Sequence, residues 1–210
     1  MFNVCPECGQ YFSEKIIDLA GPYAICPSCK YKQPLKMLPL YCVIGACGSG
    51  KSKMCVELSQ ATTDFVVIES DILWRDEFFK DKPNYLKYKD LCLRVCKNIS
   101  QAGKSVIICG GSVPGQYEKC VESRYFPSID YVALVCDLNV LKDRLENRPI
   151  DRASGDESFI NSQIKFNEWL KGDFKKMCPK VKIVDTTHDS PKHTAQKILC
   201  HFEELSGTKK

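Results

Sequence analysis

Gly45-Ala46-Cys47-Gly48-Ser49-Gly50-Lys51-Ser52 is the stretch that orders the rest of this 210-residue chain. It follows an apolar run, 40–46, that reads as a buried strand, and it opens an amphipathic stretch, 51–61, that reads as a helix. Gly45, Gly48 and Gly50 lack a Cβ, so the loop through Cys47 and Ser49 can turn successive backbone N–H groups inward. Those amides, with the positive end of the following helix dipole, make a nest for an anion. In such a loop Lys51 reaches the outer phosphates of a nucleoside triphosphate, and the Ser52 hydroxyl holds Mg²⁺. The bland alternative is a glycine-rich turn. The strand before it and the helix after it argue for the phosphate site, and the full Walker A pattern is present.

Working outward, continuous runs rich in Val, Ile, Tyr and Cys recur at 65–70, 105–111, 131–137 and 180–185, as expected of strands covered on both faces of a parallel sheet. Helical patterns fill the intervals at 85–101, 138–147, 157–170 and 191–205. Alternation of this kind predicts right-handed crossovers and a three-layer α/β domain with a five-stranded parallel sheet. The last helix has Asp189 or Ser190 as its N-cap and Pro191 in its first turn.

Asp71 lies just beyond the second of these strands, in Glu69-Ser70-Asp71-Ile72-Leu73-Trp74-Arg75. A carboxylate there can take the proton of an attacking hydroxyl or bind Mg²⁺ through water; the competing reading is an aspartate that caps the next helix. Arg75, a helical turn on, is placed either to bind an anionic group of an acceptor or to sit on the surface. At the end of the third strand, Val106-Ile107-Ile108-Cys109-Gly110-Gly111-Ser112 carries a thiol where many P-loop enzymes have an aspartate. Either Asp71 joins the magnesium shell, or Ser52, phosphate oxygens and water hold the metal. Gly110 and Gly111 would let backbone approach a substrate, with Ser112 as a donor, unless they form a plain tight turn.

Motifs in this order resemble the P-loop kinases of nucleotides and small metabolites, the group that includes nucleoside monophosphate, shikimate and gluconate kinases and chloramphenicol phosphotransferase. The resemblance spans about residues 40 to 205. It implies ATP with Mg²⁺, strand order 2-3-1-4-5, and an aspartate after the second strand that orients or deprotonates the acceptor hydroxyl, the position Asp71 occupies. A second stretch that carries it is Asp137-Leu138-Asn139-Val140-Leu141-Lys142-Asp143-Arg144-Leu145-Glu146-Asn147-Arg148-Pro149, followed by Ile150-Asp151-Arg152. In that group the strand ends in a similar Asp and the next helix leads into an arginine-bearing lid. The resemblance therefore implies phosphate-facing roles for Arg148 and Arg152, and contact with the nucleotide for Arg144. A solvated basic helix paired through Asp143 and Glu146 is the alternative, and Pro149 ends the helix before Arg152. Asp185-Thr186-Thr187 resembles the segment that lines the adenine pocket through its backbone. Gln163 to Leu170 resembles a segment after the lid, with Phe166, Trp169 and Leu170 reading as packing residues.

The first 37 residues read differently. Cys5-Pro6-Glu7-Cys8 and Cys26-Pro27-Ser28-Cys29 are separated by seventeen intervening residues, within the range for a four-cysteine structural zinc site. Residues 1–37 are expected to form a small zinc ribbon whose Zn²⁺ supplies folding energy that so short a segment lacks, and residues 38–206 the P-loop domain. The remaining ten of the fourteen cysteines, Cys42, Cys92, Cys96, Cys109, Cys136 and Cys200 among them, read as small core hydrophobes. With no apolar leader and no run of roughly 18 apolar residues, a reducing cytoplasm is expected and a membrane span is not.

The +4 net charge comes from 30 basic and 26 acidic residues without a long basic block, so nucleic acid is neither demanded nor excluded. Lys15, Lys30, Lys32 and Lys36 beside Tyr11, Tyr23 and Tyr31 give the ribbon cations and stacking surfaces, whereas a protein-contact or purely structural role fits equally. The expected activity is phosphoryl transfer from ATP to a small acceptor, a nucleoside, nucleotide or similar hydroxylated metabolite. Lys51, Asp71, Arg148 and Arg152 are its expected catalytic residues. Rival readings are a kinase of polynucleotide 5′-hydroxyls and a nucleotide-dependent switch acting on a protein. Residues 72–101, with Trp74, Phe78, Phe79, Tyr85 and Tyr88 beside Arg75, Lys87 and Lys89, are expected to hold the acceptor. Oligomeric state is left open.

Overall fold

A computed structural model describes residues 2–79, 82–149 and 156–207 of the chain. Three short strands, β1 (Ile16–Asp18), β2 (Tyr23–Ile25) and β3 (Lys32–Pro34), form an antiparallel sheet beside the two cysteine knuckles. The chain then enters β4 (Leu40–Gly45), α1 (Lys51–Ala61), β5 (Phe65–Glu69), α2 (Lys82–Gln101), β6 (Ser105–Cys109) and β7 (Ile129–Val135). It continues through α3 (Leu138–Glu146), α4 (Glu157–Trp169), a π-helical turn (Leu170–Phe174), α5 (Lys175–Met177), β8 (Lys182–Asp185) and α6 (Pro191–Ser206).

The five later strands pair in parallel in the order β5-β6-β4-β7-β8, which is 2-3-1-4-5 counted from β4, as expected. β4 lies at the centre, and every one of its residues is buried. One face of the sheet packs Met54 and Leu58 of α1 with Ile198 and Phe202 of α6; the other packs Tyr88, Leu93 and Cys96 of α2 with Leu170 and Phe174. Ser190 caps α6 by accepting from His193 N, and Asp137 caps α3 by accepting from Asn139 N. Cys200 departs from the reading of the cysteines as core: it lies exposed on α6.

Two side-chain amides on one face of α4 tie that helix to the ends of central strands. Asn167 accepts from Cys136 N at 3.1 Å and donates to Cys136 O at 2.9 Å, while Gln163 accepts from Cys47 N at 2.8 Å. Phe166 and Trp169 stack at 5.9 Å and Leu170 is buried, so these three are packing residues as expected.

The small sheet is not a free appendage. Phe2, Ala24 and Leu35 bury against Tyr125, whose hydroxyl donates to Ser13 O and accepts from Lys15 N. The Gln101 side-chain amide bonds both Lys36 N and Lys36 O across the join. Lys15, expected as a surface cation, is fully buried. No described helix is long and apolar enough to cross a membrane.

The Asn167 pairing is internal and solvent-free. Asn167→Leu would leave the Cys136 N–H and C=O without partners, and stability in urea should fall by about 2 kcal/mol.

Candidate active site

Every sequence-derived site residue that the structure describes, the ribbon cysteines aside, lies at the carboxyl edge of the parallel sheet, where open α/β sheets bind ligands. Gly48 and Gly50 adopt positive φ angles of +82° and +99°, which L side chains rarely adopt, and Gly50 is the N-cap of α1. A Cβ on Gly48 would come within 3.0 Å of Leu141 and 3.2 Å of Leu145 in α3. The Lys51 ammonium curls over the loop and donates to Gly45 O and Ala46 O, each at 2.8 Å. Desolvation lowers its pKa; Cys47 and Asp71 oppose the shift and Arg148 reinforces it, so the two expected catalytic side chains act on the lysine electrostatically. The Ser49 hydroxyl is buried in the loop with no hydrogen-bond partner among the described residues, an orphaned donor in a nest of amides.

The sequence reading missed Glu69. It ends β5 in register with Cys109, and its carboxylate accepts from the Ser52 hydroxyl at 2.9 Å. A hydroxyl beside a carboxylate at the foot of a phosphate loop is a donor set that suits Mg²⁺. The thiol of Cys109 thus does not leave the site without an acid, because the carboxylate stands one strand over. The signal was present in the sequence as a charged residue closing an otherwise apolar strand.

Asp71 sits in a 3₁₀ turn (Ser70–Leu73), exposed, its carboxylate accepting from the Ser70 hydroxyl at 3.2 Å. The N-cap of that turn is Glu69, with no side-chain capping bond, so the capping alternative for Asp71 does not hold. Arg75 points to solvent and pairs with Glu77 at 3.9 Å, the surface alternative. Gly110 is needed for packing: a Cβ there would lie 1.9 Å from Ser70 Oγ, whereas around Gly111 the space is open. Ser112 is buried rather than presented to a substrate.

Arg148 follows α3, half-buried. Arg144 bridges two loops, donating to Thr186 O at 3.0 Å and lying 3.5 Å from Gly48 O. Thr186 in turn donates to Ser49 O at 3.0 Å. The segment expected at the adenine is therefore strapped to the phosphate loop through Arg144. Arg152 lies outside the described residues, as does the side chain of Phe79.

On the acceptor side, Trp74, Phe78, Tyr85 and Tyr88 form one aromatic cluster, with Trp74 and Tyr88 edge-to-face at 4.8 Å. Lys89 is fully buried behind it, 5.0 to 5.1 Å from the rings of Tyr85, Tyr88 and Tyr117, and donates to Gly111 O at 2.5 Å. It is thus a support for the turn after β6 and not an open anion anchor.

At the N-terminus the sulfur atoms of Cys5, Cys8, Cys26 and Cys29 all lie within 4.8 Å of one another, a cluster that could hold a metal ion.

Sheet order, loop and helix together define a P-loop nucleotide-binding domain. Residues 42–162, more than half of the chain, match the AAA domain family AAA_18, and the chain belongs to that family. No curated protein matches the sequence. The fold is similar to a sugar kinase from Janibacter sp. HTCC2649, with TM-score 0.59 and 19% identity over 83% of this chain and 99% of that one. It is also similar to a gluconokinase from Sinorhizobium meliloti 1021 (TM-score 0.57, 18% identity, 82% and 95% covered). A shikimate kinase from Acinetobacter baumannii in complex with shikimate gives TM-score 0.50 and 19% identity over 83% and 97%.

Burial lowers the Lys89 pKa to about 8 from 10.5. The unfolded chain holds that proton up to about pH 10.5 and the folded protein only to about 8, so this group makes stability rise with pH between those values. Urea titrations of Lys89→Met should show a smaller rise over that window than the wild type.

Proposed function

We propose that the protein transfers the γ-phosphoryl group of ATP to a hydroxyl or phosphate of a small acceptor, a nucleoside, nucleotide or similar metabolite. The observation that carries this reading is the loop after the central strand β4, where Lys51 curls over Gly45 O and Ala46 O and Ser52 lies 2.9 Å from Glu69, with Asp71 exposed in the turn that follows β5. Among the structures of similar fold, those described as a sugar kinase, a gluconokinase and a shikimate kinase act on hydroxylated small molecules, which is consistent with it.

ATP supplies the phosphoryl group and Mg²⁺ offsets its charge. The amides of Gly45 to Ser52 would cradle the phosphates, Lys51 would reach the outer ones, and Ser52 with Glu69 would hold the metal. Asp71 takes or orients the acceptor proton. Arg148, with Arg152 from the segment after it, meets the charge that develops on the transferring group, and Arg144 keeps the adenine-side loop registered on the phosphate loop. Trp74 and Tyr85 offer a flat wall to the acceptor. We assign the four-cysteine cluster to Zn²⁺: four thiolates leave no open coordination position, so its role is structural. The 5′-hydroxyl polynucleotide reading has less to stand on, since Lys15 is buried and Lys32 lies 3.7 Å from Asp18.

ADP release from ATP and Mg²⁺ should be measured against nucleosides, nucleoside monophosphates, polyols, sugar acids and 5′-hydroxyl oligonucleotides, with Lys51→Ala as the blank. Strong stimulation by one small molecule supports the proposal; stimulation by oligonucleotides alone, or by nothing while ATP still binds, sinks it. With the responsive acceptor, Asp71→Asn should lower kcat by about a hundredfold or more while ATP affinity changes little. Glu69→Gln should instead shift the magnesium dependence to higher concentration.

A further inference from the structure

The proposed reaction leaves two fully buried lysines unused, Lys15 just before β1 and Lys97 of α2. They flank one ring: their ammonium groups lie 5.0 and 5.6 Å from the centroid of Phe2. Lys97 has a buried carboxylate partner in Glu122, which also takes Arg94 at 3.0 Å. Lys15 has none among its hydrogen bonds. It donates to two neutral oxygens, Phe2 O at 2.7 Å and Gln33 Oε1 at 2.6 Å. Both acceptors belong to the segments that carry the knuckles: Phe2 stands three residues before Cys5, and Gln33 is in register with Ala24, two residues before Cys26. Burial lowers the Lys15 pKa, the sulfurs of Cys5, Cys26 and Cys8 oppose that shift, and Lys97 reinforces it. An ammonium buried among neutral partners beside a like charge is costly unless an anion stands close by.

We infer that Lys15 is the counter-ion of a metal–tetrathiolate centre, and that through the Lys15–Phe2–Lys97 contact this centre fastens α2, the helix that lines the acceptor side of the site. A divalent ion held by four thiolates keeps a net negative charge, which is what Lys15 lacks in its own hydrogen bonds. The link to α2 is short. Asn3, two residues before the ligand Cys5, accepts from Lys97 Nζ at 2.5 Å, and Gln101 on the last turn of the same helix holds Lys36 at both backbone atoms. Tyr85, Tyr88 and Lys89 lie on α2 nearer its start, so the ribbon grips one end of a helix whose other end packs on Trp74, three residues after Asp71. Metal loss would leave Lys15 and Lys97 facing one another across Phe2 with a single carboxylate between them. The ribbon would then be a clasp whose strength depends on metal occupancy.

This inference rests on the reading of the four cysteines as a metal site, and the test separates the two. The full-length wild type loaded with Co²⁺ should show the absorption of a tetrahedral tetrathiolate ion; its absence overturns the site and with it the inference. Given that spectrum, Lys15→Met should keep its shape but lose zinc to a competing chelator with an affinity reduced about tenfold or more, and Lys15→Arg should recover most of the loss. Recovery by arginine distinguishes lost charge from lost folding. Amide exchange across residues 93–101 should accelerate when zinc is stripped from the wild type. Equal zinc affinity in Lys15→Met, no recovery in Lys15→Arg, or exchange in 93–101 indifferent to zinc would each overturn the assignment.

Discussion

A strand that ends in the middle of a sheet and turns at once into a helix leaves a row of backbone N–H groups pointing at the same spot, and the structure is arranged around that row. β4 can occupy the centre because it is apolar throughout; had it been an edge strand, the loop after it would face solvent on one side. The glycines do separate work within it. Gly50 supplies a left-handed residue at the start of α1, and Gly48 does so where α3 presses its leucines against the loop. Neighbouring elements then close on the loop from several directions: Gln163 from α4, Arg144 from α3, and Thr186 from the turn after β8. A loop held at so many points binds phosphate without first having to be ordered, which is the form of catalysis open to an enzyme whose work is positioning and electrostatics.

The same topology explains why residues far apart in sequence meet. Parallel strands all end on one edge, so the residues that follow β4, β5, β6, β7 and β8 are neighbours whatever the length of the crossovers between them. Glu69 and Asp71 show how finely this acts. Two residues apart, they straddle the end of β5, one still in the sheet and turned to Ser52, the other in the 3₁₀ turn and exposed. The division of labour proposed for them, a metal-shell carboxylate beside a proton-handling one, follows from where the strand stops.

That division was only half legible in the sequence. Strand order, helix placement and the phosphate loop could be read because each depends on local pattern: apolar runs, 3.6-residue periodicity, glycine spacing. Asp71 could be found by its place after a strand. Glu69 could not be weighed against it, because its role depends on the register of β5 with β6 and on the reach of Ser52, neither of which is local. The long-range amide bonds of Gln163 and Asn167 were hidden for the same reason. Lys15 and Lys89 were read in the wrong place, as available cations, since composition says nothing of which lysine an aromatic cluster will enclose.

Among the described residues the chain buries three lysines completely, and the three environments differ in a way that sorts their roles. Lys97 has the buried carboxylate of Glu122, which opposes the lowering of its pKa by burial. Lys89 has one carbonyl and three tyrosine rings, an environment that favours a cation only weakly against the loss of water, so it holds its proton less firmly than an ordinary lysine. Lys15 has two neutral oxygens and a set of sulfurs. Burial is offset for the first by a carboxylate, for the second by partial deprotonation, and for the third, on the proposed reading, by negative charge on the sulfurs. On the proposed reading the four-cysteine cluster and α2 are thereby parts of one electrostatic arrangement.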